Sequence, residues 1–418
     1  MREMKDSGIA WIGAMPRAWK MNTIAQIFLQ VKCKNTGLQE KNLLSLSYGK
    51  VKRKSIDTVE GLLPESFDGY NIIEKDDIVL RLTDLQNDHT SLRVGLAEER
   101  GIITSAYLTI RNRSNFCPKY LYYYLHSFDI AKGFYGMGAG VRQGLNWDGV
   151  KWLKILAPSV PEQERIAAFL DAECAEIDAV LEKTRASIEE YKKLKQAVIT
   201  QAVTKGVRGD RPMKDSGIEW IGDIPAEWDV IRVKQLLKER NERSKEGKEE
   251  PLSMSQKVGL VPTKFLESIP NMASSFVGAK LAYVDDLVFN KLKAHLGVFS
   301  VSRYDGLVSP DYAVYCSTGK SNLKYLEYIF KTPQCIGEFR KKSTGIAAGL
   351  MRLYTEGLFS IYLPYPALSE QEEIAEYLNE KCAGIDALIV KKQQYLTEIE
   401  NYKKSLIYEY VTGKKEVV

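Results

Sequence analysis

The sequence predicts a mixed α/β (α+β) protein written twice. Two similar globules are joined by two long helices that form an antiparallel coiled coil, and the whole is pseudo-twofold and circularly organised. Two repeated blocks and one periodicity predict this. MKDSGIAWIGAMPRAWK at 4–20 returns as MKDSGIEWIGDIPAEWD at 213–229, an offset of 209 residues (213 − 4). PSVPEQERIAAFLDAECAEIDAVLEK from Pro158 returns as PALSEQEEIAEYLNEKCAGIDALIVK from Pro366, an offset of 208 (366 − 158). Each of these later blocks opens a stretch of about 40 residues with apolar positions at steps of four and three. Because the two offsets nearly agree, the duplication covers a whole half of the chain.

At roughly 100–200 residues per structural unit, the 418-residue chain accommodates several units with their own cores. The boundaries read as a globule at 1–157, a helix at 158–206, a second globule at 207–365 and a second helix at 366–418. Hydrophobic residues make up 44% and charged residues 27%, ordinary for a water-soluble fold. No apolar run approaches the roughly 20 residues that span a bilayer. The opening MREMKDSG lacks an apolar signal core and the six cysteines form no CxxC pair, so the expected location is cytoplasmic. A net charge of +5 leans basic, a weak hint of nucleic acid that an averagely charged protein would also give.

Within the globules the copies match more faintly. LLSLS (43–47) faces PLSMS (251–255), EKDDIVLRL (74–82) faces YVDDLVFNK (283–291), and GIITSAYLTI (101–110) faces GLVSPDYAVY (306–315). These alternating and β-branched runs read as strands, while KYLYYYL (119–125) and KYLEYIF (324–330) read as short amphipathic helices.

The first long helix carries a seam through Leu170, Cys174, Ile177, Leu181, Thr184, Ile188, Tyr191, Lys195, Val198 and Ala202. The second repeats it through Leu378, Cys382, Ile385, Ile389, Lys392, Leu396, Ile399, Lys403, Leu406 and Tyr410. Pro161 suits a first helical turn, and Ser369 with Glu372 reads as a capping box. A helix of roughly 60 Å with one apolar stripe needs a partner. The equivalent helix supplies it, antiparallel if the halves are related by a twofold. The internal junction AVTKGVRGDRPMKDSG and the two chain ends look like one junction cut open, so the ends are expected side by side near the first globule. Cys174 and Cys382 read as apolar packing, and Trp11, Trp19, Trp220 and Trp228 as core anchors.

Catalytic signatures are missing. YGMGAGVRQG (135–144) lacks GxGxxG spacing, TGKSN (318–322) lacks the earlier glycine of a phosphate loop, and His89, His126 and His295 stand at no metal-ligand spacing. The chain reads as non-catalytic. Candidate DNA contacts are grouped instead. In the first half they are Lys50, Lys52, Arg53 and Lys54 of GKVKRKS (49–55), Arg81 of RLTDLQNDHT (81–90), and Arg142, Gln143 and Asn146 after the glycine-rich stretch. The second half offers Lys257, then Lys291, Lys293 and His295 of NKLKAHLG (290–297). It also offers Arg340, Lys341, Lys342 and Ser343 of FRKKSTG (339–345), with Thr344, Arg352 and Tyr354 nearby. Lys and Arg attract phosphates without regard to sequence, while Arg, Gln and Asn read base edges bidentately. A solvated charged surface is the competing reading of each cluster. The segments at 81–90 and 290–297 follow the same strand yet differ sharply, as one scaffold with two reading heads would.

The doubled MKDSGIxWIGxxPxxW opening, the variable α/β region and PxxxEQxxIAxxL leading into a long helix closely resemble the specificity subunit of type I restriction-modification systems. The resemblance covers essentially the whole chain. It implies that two target-recognition domains each read half of a bipartite site on double-stranded DNA, and that a coiled-coil spacer sets the half-site separation. It also implies two docked methyltransferase subunits and further restriction/translocase subunits, with no membrane partner. It implies no cofactor on this chain; S-adenosylmethionine, ATP and magnesium are expected on the partner subunits. Glu162, Gln163, Ile166, Ile177 and Leu181 match the family's spacer and docking blocks, as do Glu370, Gln371, Ile374, Ile385 and Ile389. The alternative is a coiled-coil scaffold whose globules dock proteins and no DNA.

Overall fold

The computed structural model describes residues 2–55, 66–88, 90–137, 144–256, 258–266, 275–345 and 351–417. Its longer helices are α1 (Pro118–Ile130), α2 (Val160–Lys205), α3 (Leu323–Phe330), α4 (Pro333–Lys342) and α5 (Leu368–Val411). Two compact units emerge, one of Met1–Arg185 with Gln394–Val418 and one of Ala186–Gln393. The first unit is discontinuous in the chain, as a circular order requires. Both chain ends fall in it, and Arg2 Nε lies 3.2 Å from a Glu416 carboxylate oxygen, so the expected closeness of the ends holds.

The repeated opening phrase folds as a small hairpin in both units, with Met4–Asp6 on Ala14–Pro16 and Met213–Asp215 on Asp223–Pro225 in the same register. Its letters are fixed by the turn. Asp6 accepts the Gly8 N–H and Asp215 that of Gly217, and both glycines have φ +70°, a region that side chains avoid. Ile12, Met15 and Trp19 are buried in the first unit, and Ile221, Ile224 and Trp228 in the second.

Each unit is built around one four-stranded antiparallel sheet. The first unit has β1 (Phe28–Gln30), β2 (Ile78–Leu80), β3 (Val94–Leu96) and β4 (Leu108–Asn112) in the order β1-β4-β2-β3. The second has β5 (Leu237–Glu239), β6 (Leu287–Asn290), β7 (Phe299–Val301) and β8 (Tyr312–Ser317) in the matching order β5-β8-β6-β7. A buried aspartate precedes the central strand in both. Asp77 binds Arg111 through two bonds of 2.8 and 2.7 Å, and Asp286 binds Arg240 through bonds of 2.8 and 3.1 Å. Arg111 lies in β4 whereas Arg240 follows the end of β5, so the carboxylate belongs to the scaffold while its partner has drifted. Another strand pair closes each globule on itself: Lys20–Thr23 with Lys154–Ala157, and Asp229–Arg232 with Tyr362–Tyr365.

The seam residues of α2 and α5 are all buried or half-buried, as the periodicity predicts. Within the first unit Lys403 of α5 pairs with Asp178 of α2 at 2.6 Å, and within the second Lys195 of α2 pairs with Asp386 of α5 at 2.6 Å. Phe169 also meets Tyr410 in the first unit and Tyr191 meets Lys392 in the second, so contacts that advance along α2 retreat along α5 and the helices run antiparallel in each unit. These pairs are partly exposed and contribute about 0–1 kcal/mol each, so they set register while the apolar seam supplies stability. One expectation fails. Helix α5 already begins at Leu368, so Ser369 lies inside the first turn and caps nothing; the Glu370 and Gln371 N–H groups bond the Ala367 carbonyl instead. Among the described residues no helix is long and apolar enough to cross a membrane.

A carboxylate anchors the start of each long helix, half-buried at Glu162 and buried at Glu370. Glu162 and Glu370 sit in the first turns of α2 and α5, where the helix dipole favours negative charge. The Trp19 indole N–H donates to Glu162 at 3.2 Å and that of Trp228 to Glu370 at 3.0 Å. Arg2 reaches Glu162 at 2.6 Å and Arg211 reaches Glu370 at 2.7 Å, each guanidinium lying over the same tryptophan ring at 5.5 and 5.2 Å. Thus the opening phrase and the EQ block, far apart in sequence, meet as one Arg–Trp–Glu triad per unit. Replacing Arg211 with Met strands Glu370, whose side chain is 4% exposed, with a second arginine only at 3.9 Å. The expected loss is about 3–5 kcal/mol in urea unfolding, partly recovered by adding Glu370→Gln. Arg2→Met should cost less because Glu162 is 17% exposed; equal losses would contradict the burial argument.

Candidate nucleic-acid interface

The EQ glutamines complete the helix anchors. Gln163 accepts the Cys117 N–H at 3.0 Å and donates to the Pro158 carbonyl at 2.9 Å; Gln371 accepts the Asn322 N–H at 2.9 Å and donates to the Pro366 carbonyl at 3.0 Å. Both glutamines are 0% exposed. This corrects their reading as docking residues, since a partner cannot reach side chains engaged inside the unit. Glu370, Ile166, Ile177, Leu181, Ile374 and Ile385 are likewise buried, and Glu162 and Ile389 are half-buried. Their place is the core and the helix seam. Arg2 and Arg211 escaped the sequence reading, although they share the 209-residue offset (211 − 2) of the opening phrase.

In the second unit the candidate cations converge. The segment 290–297 makes a tight turn, Ala294–Leu296, and α4 packs against it. Arg340 Nε donates to the His295 carbonyl at 3.4 Å, and the Leu353 N–H donates to the Lys291 carbonyl at 3.0 Å. Thr344 and Arg352 exchange backbone bonds of 2.9 and 2.8 Å, holding the two ends of the 344–352 segment together. Lys293, Lys341 and Lys342 are exposed around this meeting point. Lys341 pairs with Glu338 at 2.7 Å and Arg352 with Asp311 at 3.4 Å, while Lys342 has no ion pair among the described residues. Two candidates change role. Lys291 is half-buried, its ammonium held below the usual range by desolvation, and it donates to the Pro310 carbonyl. The Ser343 hydroxyl donates to the Phe339 carbonyl and so closes the end of α4. Lys257 lies outside the described residues.

The first unit brings the corresponding segments together by other contacts. The Leu145 N–H donates to the Leu82 carbonyl at 2.8 Å, setting the end of the glycine-rich stretch against the exit of β2. Arg81 is half-buried, 3.6 Å from Asp88. Asn146 is corrected to a helix cap: its side-chain oxygen accepts the Gly149 N–H at 3.1 Å. Arg142, Gln143 and His89 lie outside the described residues. The cluster at 49–55 forms the hairpin of Leu44–Ser47 and Lys50–Arg53. Arg53 pairs with Glu99, and Lys50 stands 3.8 Å from Asp178, whereas Lys52 and Lys54 have no ion pair among the described residues. The tip places Tyr48 at φ +49° and 90% exposed, an aromatic that the charge-based reading passed over. A Cβ on Gly49 would sit 3.0 Å from Leu92, so the hairpin tip abuts the end of the 81–93 loop.

Both units therefore present, on matching sheets, a loop after the central strand set against the end of a glycine-containing segment. The chemistry differs: a cationic helix end and tight turn in one, a longer polar loop in the other.

No family model matches the chain. It is 24% identical over 283 residues to the Type I restriction enzyme MjaVIII specificity subunit of Methanocaldococcus jannaschii, covering 63% of each chain. It is 22% identical over 290 residues to the Type I restriction enzyme EcoDI specificity subunit of Escherichia coli, covering 63% of this chain and 62% of that one. The matches thus span a little under two thirds of these relatives' lengths. Among solved structures, a chain from work on complex assembly and conformational transition of the type I R-M system superposes with a TM-score of 0.71 at 14% identity, covering 96% of this chain and 99% of the other. The HsdS subunit from Thermoanaerobacter tengcongensis gives 0.52 at 14% identity, covering 96% and 98%. In sequence the chain is similar to the specificity subunits of type I restriction enzymes, and its fold, a mixed α/β architecture with two long helices, is the one found in the type I R-M system.

Proposed function

We propose that this chain is the sequence-specific DNA-recognition subunit of a type I restriction-modification complex. Each unit's globule reads one half of a bipartite target on double-stranded DNA, and the paired helices set the half-site separation. The chain itself is non-catalytic. It positions two adenine methyltransferase subunits, and restriction/translocase subunits join them, with S-adenosylmethionine, ATP and magnesium used on those partners in the cytoplasm. The observation that carries this reading is the duplication of one sheet topology with different loops at the same place. A protein that needed two copies of one site would repeat the loops along with the scaffold. Two scaffolds with divergent loops suit two different half-sites, and the similarity to specificity subunits supports the same conclusion.

Exchanging residues 20–157 for the corresponding segment of another such subunit should change one half-site in the methylation pattern and leave the other intact. If both changed together, the modular reading would fail. Lys341→Ala with Lys342→Ala should weaken binding to random duplex and lower the slope of log K against log salt by about 1 for each phosphate no longer neutralised. An unchanged slope would return that cluster to an ordinary solvated surface. Inserting one heptad into both long helices adds about 10 Å of helix and should lengthen the tolerated gap by up to about three base pairs of 3.4 Å. A gap that stays the same would exclude the helices as the ruler. A full chain that retains no duplex by itself or with methyltransferase subunits would favour the protein-docking scaffold.

A further inference from the structure

Arg93 is the residue of the first unit whose burial is hardest to explain by the fold. It stands at the end of the loop between β2 and β3 and is 0% exposed, and among the described residues it forms no ion pair, although the Asp88 and Asp129 carboxylates lie near enough to feel its charge. Its guanidinium serves carbonyls instead. Nη1 donates to Arg81 and Thr83 at 3.0 and 2.8 Å, Nη2 to Asp84 at 3.3 Å and to Asp88, and Nε to the Tyr135 hydroxyl at 3.0 Å. A buried cation costs several kcal/mol unless its donors are satisfied, so burying this guanidinium ties the loop carbonyls that satisfy it to one arrangement.

Neighbouring groups fasten the same hub. The Tyr135 hydroxyl donates to the Asp88 carbonyl at 3.0 Å, and its ring lies 5.2 Å beneath the guanidinium. Asp129, near the end of α1, accepts the Arg93 N–H at 2.6 Å; burial pushes its carboxyl up to about 6. The Asp88 carboxylate accepts the Ser91 N–H at 2.9 Å and shapes the loop tip.

The second unit provides the internal control. Strand pairing aligns Leu80 with Val94 and Phe289 with Phe299, so the counterpart of Arg93 is Val298, which is buried and apolar. Its loop is held by its own backbone turn, with Gly297 at φ +76°. The cation is therefore no part of the shared scaffold. It belongs to the loop that differs between the copies.

We propose that Arg93 is a specificity-determining positioning residue of the first unit: by gathering the loop carbonyls around one buried guanidinium, it presents the exposed side chains of Asn87 and Thr90 to the bases of one half-site. One Asn87 amide N–H donates to the Asp84 carboxylate at 2.7 Å, which orients the group and leaves its second N–H and its oxygen to bond an adenine edge bidentately. The proposal rests on the DNA-recognition reading above.

The test uses the full-length chain, as wild type, Arg93→Lys, Arg93→Met and the milder Tyr135→Phe, selected against duplexes with randomised half-sites. Amide hydrogen exchange is measured in parallel. Wild type should enrich two conserved blocks. The Arg93 variants should flatten one block, keep the other, and retain the binding to random duplex. Amides of 83–91 should exchange about ten-fold faster or more, with 290–298 unchanged; Tyr135→Phe should do the same to a smaller degree. Two intact blocks in Arg93→Lys despite faster loop exchange would overturn the proposal. So would unchanged loop exchange in both Arg93 variants or, where those variants unfold globally, a folded Tyr135→Phe chain whose loop exchanges faster while both blocks stay intact. If wild type enriches no block, DNA recognition itself fails, and the exchange data still decide whether Arg93 holds the loop.

Discussion

The carboxylate at the head of each long helix is the constraint on which the rest depends. Glu162, half-buried, and Glu370, buried, are each held by an indole N–H from the opening phrase and by an arginine two residues before that phrase. An ionised carboxylate is expensive to bury without such partners, so the phrase and the helix start cannot separate without exposing or stranding charge. The adjacent Gln163 and Gln371 extend the lock by accepting a backbone N–H from the globule, at Cys117 and Asn322, just before the short helix in each case. Sheet, short helix and long helix are thereby fixed against one another within each unit, and loops can vary on that frame.

The tyrosines of the short helices show how far the duplication extends. Tyr120 donates to the Leu156 and Val411 carbonyls, and Tyr325 to those of Pro364 and Val203. Each hydroxyl joins its globule's closing strand to the end of a long helix, the second helix in one unit and the first in the other. Circular order is thus a hydrogen-bonding fact as well as a pattern of repeats. Burial drives both phenols well above their usual range, so they stay neutral donors at any physiological pH.

Against this frame the variable loops are stabilised by local means that differ between units. One loop wraps a buried guanidinium; the other closes as a tight backbone turn beside a cationic helix end. A scaffold whose core pairs, such as Asp77 with Arg111 and Asp286 with Arg240, do not involve the loop tips tolerates such exchange. That separation of stability from surface chemistry allows one fold to carry two different loop surfaces.

Much of this was legible in one dimension. Repeats, heptad steps and turn letters such as Asp6-Ser7-Gly8 are local, so the sequence by itself determined the duplication, both long helices, their buried seam and the circular order. Periodicity reports a face, because 3.6 residues per turn puts Leu170, Cys174 and Ile177 on one side whatever they touch. Partners and burial were decided only by the tertiary structure. Nothing near Gln163 in sequence announces the Cys117 N–H, nothing near Arg93 announces five convergent acceptors, and Asn146 reads as a base reader until the Gly149 N–H is seen to occupy its side-chain oxygen. The reason is physical: the protonation, hydrogen bonding and accessibility of a polar side chain depend on groups that chain closure brings in from tens or hundreds of residues away.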